Sequence, residues 1–242
     1  YGDPRILHLT LRRQGELFIR AGVVPAVERY WNWLTAALGG DLGFSRLHAK
    51  PVVGVIIPAL SNTVILLGLS FVFSILIAIP MGVFAAARQN TRLDYAINLF
   101  SFLAISVPSF WLALLMITLF SVTLGLLPAG GTETIGVDSL ADKAKFLVLP
   151  VATLTILSLG SQARFTRAEM IQVLRQDYIR TARAKGVPES RVIFHHGLRN
   201  AFIPVVTIIA LDFGYLFSGA LTIEIVFAFP GMGKLIFDAI MG

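Results

Sequence analysis

The sequence predicts an all-α membrane protein, and three observations carry that prediction. Only 14% of its 242 residues are charged, 56% are hydrophobic, and the mean hydropathy is +0.78. A soluble domain carries roughly 25% charged residues. No charge interrupts residues 51–87 or 95–132. The formal net charge is +6, and residues 164–199 hold eight Lys/Arg against three Asp/Glu, or +5, which leaves +1 for the rest. An excess confined to one segment does not mark a nucleic-acid surface. Cysteine is absent, which excludes a disulfide framework and a cysteine metal site.

Residues 1–50 mix polar and apolar side chains, with Tyr30, Trp31, Trp33 and the pair Gly39-Gly40. No run there is long and apolar enough to span a bilayer. Residues 1–57 are therefore expected to form an extracytoplasmic helical segment, and 58–242 a transmembrane domain. A spanning helix needs about 20 apolar residues. Residues 63–87 supply the first span, with 58–62 leading into it. Arg88, Arg92 and Asp94 make a short charged turn. The second span fits 97–124, and Pro108 inside it is expected to kink it, neighbouring helices satisfying the freed carbonyl. Residues 125–145 read as a loop, with Gly130-Gly131 as a turn. The third span covers 146–161 and continues into a polar helix.

That polar stretch, 165–204, is basic and helical in pattern. Apolar side chains at Met170, Ile171, Leu174, Tyr178 and Ala182 recur at helical spacing and predict one sticky face. Gly186 tolerates a left-handed closing residue, and Pro188 cannot continue the same ladder, so the helix ends there. Pro188 suits the start of a second short helix, with Glu189 in its first turn. Such a helix–glycine–helix surface fits either a solvated loop or a docking element.

The fourth span covers 200–227 and contains Pro204, Asp212 and Glu224. Asp212 lies 12 residues in, roughly 18 Å deep at about 1.5 Å per residue. A carboxylate there costs at least ~2.5 kcal/mol unless it faces protein or water. Tyr215 and Gly219 follow at i+3 and i+7 on the same face. Asp212, Tyr215 and Gly219 are thus candidates for a pathway lining that attracts a cationic group. The competing reading is a structural acid paired with a neighbouring helix. Glu224 falls about 120° around the helix and is expected at the outer mouth.

Four spans put both ends on one side. The loops 88–94 and 164–199 hold ten Lys/Arg, which places them in the cytoplasm and residues 1–50 outside. There is no GxxxxGK[ST]; Gly231-Met-Gly-Lys234 lacks the first glycine and is followed by Leu235, so the chain is not expected to hydrolyse ATP. His195 and His196 diverge by about 100° on a helix and cannot share a metal. No nucleophile–base set or carboxylate pair stands out, so no catalytic residue, metal or cofactor is assigned to this chain.

The run Asp177-Tyr-Ile-Arg-Thr-Ala-Arg-Ala-Lys-Gly186, followed by His196-Gly-Leu-Arg-Asn-Ala-Phe-Ile-Pro204, closely resembles the cytoplasmic loop of ABC-transporter permeases. The nearest branch is the dipeptide/oligopeptide/nickel importers. Arg180-Thr181-Ala182 stands where the general pattern has Glu-Ala-Ala, and His196-Gly197-Leu198-Arg199 replaces its Ile-x-Leu-Pro; both departures look like the peptide branch. Gly2-Asp3-Pro4, Gly40-Asp-Leu-Gly43, and Glu224-Ile-Val-Phe with Phe229-Pro-Gly-Met-Gly233 look like further signatures of that branch.

The resemblance implies a type I ABC importer permease fold with six spans, four of them visible here. It implies an ATP-driven importer of di- or oligopeptides, or of a related small solute such as nickel or glutathione, in the inner membrane. The partners implied are a second permease subunit, two ATPase subunits carrying ATP and Mg, and an extracytoplasmic solute-binding protein. Arg180, Thr181, Ala182, Arg183, Ala184, Lys185 and Gly186 would form the ATPase-coupling helix. Small residues at Ala182, Ala184 and Gly186 would allow close approach, and Arg180, Arg183 and Lys185 would pair with acidic groups. An ion-coupled secondary transporter using Asp212, or a structural or assembly membrane protein, are the rival readings.

Overall fold

The computed structural model describes residues 25–45 and 47–241, apart from the side chain of Tyr215. Gly2, Asp3 and Pro4 lie outside the described residues. The chain divides into two compact units, residues 1–57 and 58–242.

In the first unit, α1 (Ala26–Leu38) follows Pro25, whose fixed φ suits a helix start. α1 buries none of its residues, and Tyr30, Trp31 and Trp33 are exposed. A small antiparallel hairpin follows, β1 (Phe44–Ser45) against β2 (Lys50–Pro51), with Phe44 opposite Pro51. α2 (Val52–Ala87) starts in this unit and runs through the second. The span expected at 63–87, with its separate lead-in, is thus one continuous helix that contains Pro58 and Pro80.

The second unit is built from α2 and six further helices: α3 (Arg92–Ser106), α4 (Ser109–Met116), α5 (Leu140–Leu174), α6 (Asp177–Ala184), α8 (Arg199–Val226) and α9 (Met232–Met241). A one-turn α7 (Glu189–Arg191) leads through the wider turns of Val192–Leu198 into α8. Wider turns also extend α4 over Ile117–Thr123. Among the described residues, three helices are long and apolar enough to cross a membrane; the bent pair α3–α4 makes a fourth if counted as one span.

Pro108 does more than kink the second span. α3 stops at Ser106, Val107 is extended at φ −82°, ψ 126°, and the chain turns by 105° before α4. Proline disfavours the helical region for the residue before it and offers no N–H of its own, and here both effects are realised. The third span is longer than 146–161: α5 is unbroken for 35 residues, roughly 50 Å at about 1.5 Å each. It therefore exceeds a hydrocarbon core of about 30 Å.

The main core forms where α2, α4, α5 and α8 meet. It includes Leu66, Leu67, Met116, Leu149, Leu154 and Ile223, with Phe227 and Phe229 closing one end. Two smaller clusters continue it, Ala78 with Leu159 and Ala163, then Val83 and Ala86 with Met170 and Ala201. Small residues set the approach of α5. A Cβ on Gly82 would sit 2.6 Å from Thr166 Cβ, and one on Gly160 would sit 2.6 Å from the Ser101 carbonyl. Helices in lipid associate through such close packing because lipid is as apolar as leucine. Elsewhere the bundle exposes Val64, Val72, Phe73, Leu76, Phe102 and Leu103, as a lipid-facing surface requires.

Candidate functional site

The helix that carries the basic motif is short and separate. α5 ends at Leu174, Gln176 is extended at φ −69°, ψ 153°, and α6 begins at Asp177. The single apolar face expected over Met170, Ile171, Leu174, Tyr178 and Ala182 does not exist. A helix that restarts after an extended residue starts with a new phase. Ile179 and Ala182 are buried, while Tyr178 is exposed. Ile179, Ala182 and Val192 form a small cluster, packed by Leu174 from the end of α5 and by Val187. The expectation that Ala182 offers a small docking surface is therefore corrected: its methyl faces the protein's own interior.

Gly186 closes α6 in the left-handed region, at φ +76°, with the Val187 N–H donating to the Ala182 carbonyl at 3.2 Å. A Cβ there would meet nothing of this chain within 4 Å, so within the chain glycine serves the backbone angle. Pro188 then precedes α7 as its cap.

Arg183 Nη2 and Nε donate to the two Glu189 carboxylate oxygens at 2.6 and 3.1 Å and clasp α6 to α7. This hydrogen-bonded pairing holds the Glu189 carboxyl below the ordinary carboxylate range and raises Arg183. Arg183 is thus engaged within the chain. Arg180 reaches Asp177 only at 3.4 Å, with both side chains well exposed. Lys185 has no ion-pair partner among the described residues. The outward surface of α6 and its cap is Tyr178, Arg180, Thr181, Ala184, Lys185 and Gly186.

On α8, Asp212 is half-buried and accepts a hydrogen bond from Ser161 Oγ of α5 at 3.2 Å. Gly219, also half-buried, sits beside Leu154 of α5. The side chain of Tyr215 lies outside the described residues.

Two polar constellations escaped the sequence reading. In the first, Arg167 of α5 grips Asp94 of α3 in a fork, Nε to Oδ1 at 2.6 Å and Nη2 to Oδ2 at 2.7 Å. The Asn98 amide and the Asn90 N–H also donate to that carboxylate. Asp94, expected in a short charged turn, is 1% exposed. Burying it is tolerable because all its acceptor capacity is engaged.

In the second, Glu224, expected near the outer mouth, is fully buried within the chain. Thr63 Oγ1 donates to Glu224 Oε1 at 2.6 Å and accepts the Met232 N–H at 2.7 Å. The Lys234 N–H donates to Oε2 at 3.0 Å. The carboxylate therefore holds the N-terminus of α9, where the helix dipole favours negative charge. Around it, the Asn62 amide donates to the Pro230 carbonyl at 2.9 Å and the Gly131 N–H to the Phe227 carbonyl at 2.9 Å. The intramembrane acid was a visible signal for this site; its partners, 161 residues away and on the next helix, were not.

Residues 78–242 match the sequence profile of the family described as binding-protein-dependent transport system inner membrane component. The chain belongs to this family. The permease is similar, at 41% identity over 217 residues, to the oligopeptide transport system permease protein AppB of Bacillus subtilis (strain 168), covering 89% of this chain and 69% of that protein. It is 39% identical over 216 residues to the glutathione transport system permease protein GsiC of Escherichia coli (strain K12), covering 89% and 68%. The permease is thus a multi-pass inner-membrane component of an ABC importer.

Proposed function

We propose that this permease forms the translocation path for di- or oligopeptides, and that ATPase subunits drive it through α6. The observation that carries the reading is the design of α6. Its inner side is tied by Ile179 and Ala182 to the end of α5, and its outer side presents Tyr178, Arg180, Thr181, Ala184 and Lys185. A partner that pushes on α6 would therefore push on a 35-residue helix. The names of the similar proteins, an oligopeptide permease and a glutathione permease, support a peptide-like substrate.

In this reading a second permease completes the path, two ATPase subunits hold ATP and Mg, and a solute-binding protein delivers substrate. Residues 164–199 face the cytoplasm and 1–50 the opposite side. Asp212, Tyr215 and Gly219 mark the face of α8 toward the path, where Asp212 attracts a cationic group such as a peptide's ammonium. The test is uptake of labelled oligopeptide into proteoliposomes containing the complete transporter. Uptake is expected to require ATP and the binding protein; uptake driven by an ion gradient without ATP overturns the proposal.

A further inference from the structure

The buried fork between Asp94 and Arg167 lies one turn before Met170, which α5 packs against Val83, Ala86 and Ala201. From Arg167 to Leu174 there are seven residues, about 10 Å or two turns. After a two-residue break comes α6, packed onto Leu174. A displacement of α6 thus reaches α5 at Leu174, about two turns beyond Arg167, and also Val192 on the stretch leading into α8.

Along this part of the bundle, the buried side chains of Ser101 on α3 and of Gln162 and Thr166 on α5 make no hydrogen bond, Thr166 lying against Gly82 of α2. Among the described residues, the Asp94–Arg167 fork is therefore the one side-chain hydrogen-bonded link between these two helices. It is also over-determined, since Asn90 and Asn98 fix the carboxylate from the α3 side. A bidentate guanidinium–carboxylate contact defines both distance and orientation, which apolar contacts do not.

We propose that Asp94 and Arg167 are positioning residues, the pivot through which movement of α6 is passed to the spans. The pair stays closed while α3 and α5 move as one body, so a push at the docking end tilts both helices. This rests on reading α6 as the ATPase-docking helix.

The test uses the complete transporter in proteoliposomes and reads transport and ATP hydrolysis separately. Asp94→Asn keeps the shape and removes the charge. It is expected to assemble, to hydrolyse ATP at near the parent rate, and to move at least tenfold less substrate per ATP. Because the chain has no native cysteine, Asp94→Cys with Arg167→Cys can be joined by a bifunctional thiol reagent of matching reach. Bridging is expected to restore transport, and reductive cleavage of the bridge to abolish it again. Full transport per ATP in Asp94→Asn overturns the pivot, as does a bridge that blocks transport. If Asp94→Asn fails to assemble and the bridged variant is also inactive, the pair is a folding contact only and the proposal falls. The docking premise is read independently by cross-linking Lys185→Cys to the ATPase. Loss of that cross-link removes the premise; a normal cross-link with normal coupling in Asp94→Asn removes the pivot alone.

Discussion

Replacing Gly231 by alanine should damage the permease through one contact, the buried carboxylate of Glu224. A Cβ on Gly231 would fall on the Glu224 carboxyl group. Gly231 is not in the left-handed region, so alanine brings no backbone strain and the cost is steric. The backbone has little room to retreat, because Asn62 holds the Pro230 carbonyl and Gly131 holds that of Phe227. The carboxylate must then leave Thr63 Oγ1 and the Lys234 N–H. Hydrogen bonds to a charged group are worth about 1.5–3 kcal/mol each, so the two lost together predict about 3–6 kcal/mol. The assay is thermal unfolding of the purified complex, run as a double-mutant cycle with Glu224→Ala. If the clash with Glu224 is the cause, Gly231→Ala should add almost nothing once Glu224 is alanine, and the coupling should exceed about 2 kcal/mol. Additive effects, agreeing within about 0.5 kcal/mol, would refute the steric argument.

At Gly186, valine should sharply reduce transport while asparagine retains most of it. Space there is open and only the positive φ is demanding, a cost of about 1–2 kcal/mol for a β-branched residue. Equal loss in both variants, measured as peptide uptake, would point to a steric docking contact instead. The Arg183–Glu189 clasp should loosen in acid. Its carboxyl is held below the ordinary range, so its stabilisation is present above the ordinary carboxylate pKa and lost as pH falls through the folded value. As an exposed pair it contributes on the order of 0.2–1 kcal/mol, so the exchange protection factors of the amides of residues 183–187 and 189, relative to their intrinsic rates at each pH, should fall modestly in acid, and Glu189→Gln should remove that fall. Topology is checked by Thr132→Cys, expected to react with an impermeant reagent from outside, and Ser190→Cys, expected to react only after lysis; the reverse pattern inverts the orientation.

The spans were legible because lipid excludes charge, and a run without Asp, Glu, Lys or Arg is visible in one dimension. Gly186 was legible because a left-handed helix end selects glycine locally. The break at Pro108 was not. Pro58, Pro80, Pro150 and Pro204 lie inside helices, and each, like Pro108, follows a large aliphatic residue. Pro108 alone of the five is flanked by serines, Ser106 and Ser109, which favour helix ends over helix interiors, and the sequence reading gave that local difference no weight. The phase of α6 was lost for a related reason: a 3.6-residue count carried across Arg175 and Gln176 assumes a continuity that the backbone does not have. Asp94 and Arg167 are 73 residues apart. Asp94 read as part of a charged turn and Arg167 was not singled out, because burial of a charge depends on a partner that sequence spacing does not name.

The two polar constellations also explain how a bundle with a lipid-like exterior keeps one register. Leu66, Leu149 and Leu154 gain little by choosing each other over acyl chains, since both surroundings are apolar. Close approach at Gly82 and Gly160 fixes how near the helices come, yet tolerates sliding along the axis. Sliding is opposed by directional bonds, and the structure puts them at separated points: Asp94 and Arg167 between α3 and α5, and Glu224 with Thr63 between α8, α2 and the start of α9. A shift of one residue, about 1.5 Å along the axis and about 100° around it, would turn the paired side chains away from each other and leave a buried carboxylate unpaired. Removing one partner of a buried ion pair costs about 3–5 kcal/mol, so the fork opposes such a shift. A bundle held this way resists sliding, and the proposed drive through α6 would then rock it as a body about these fixed points.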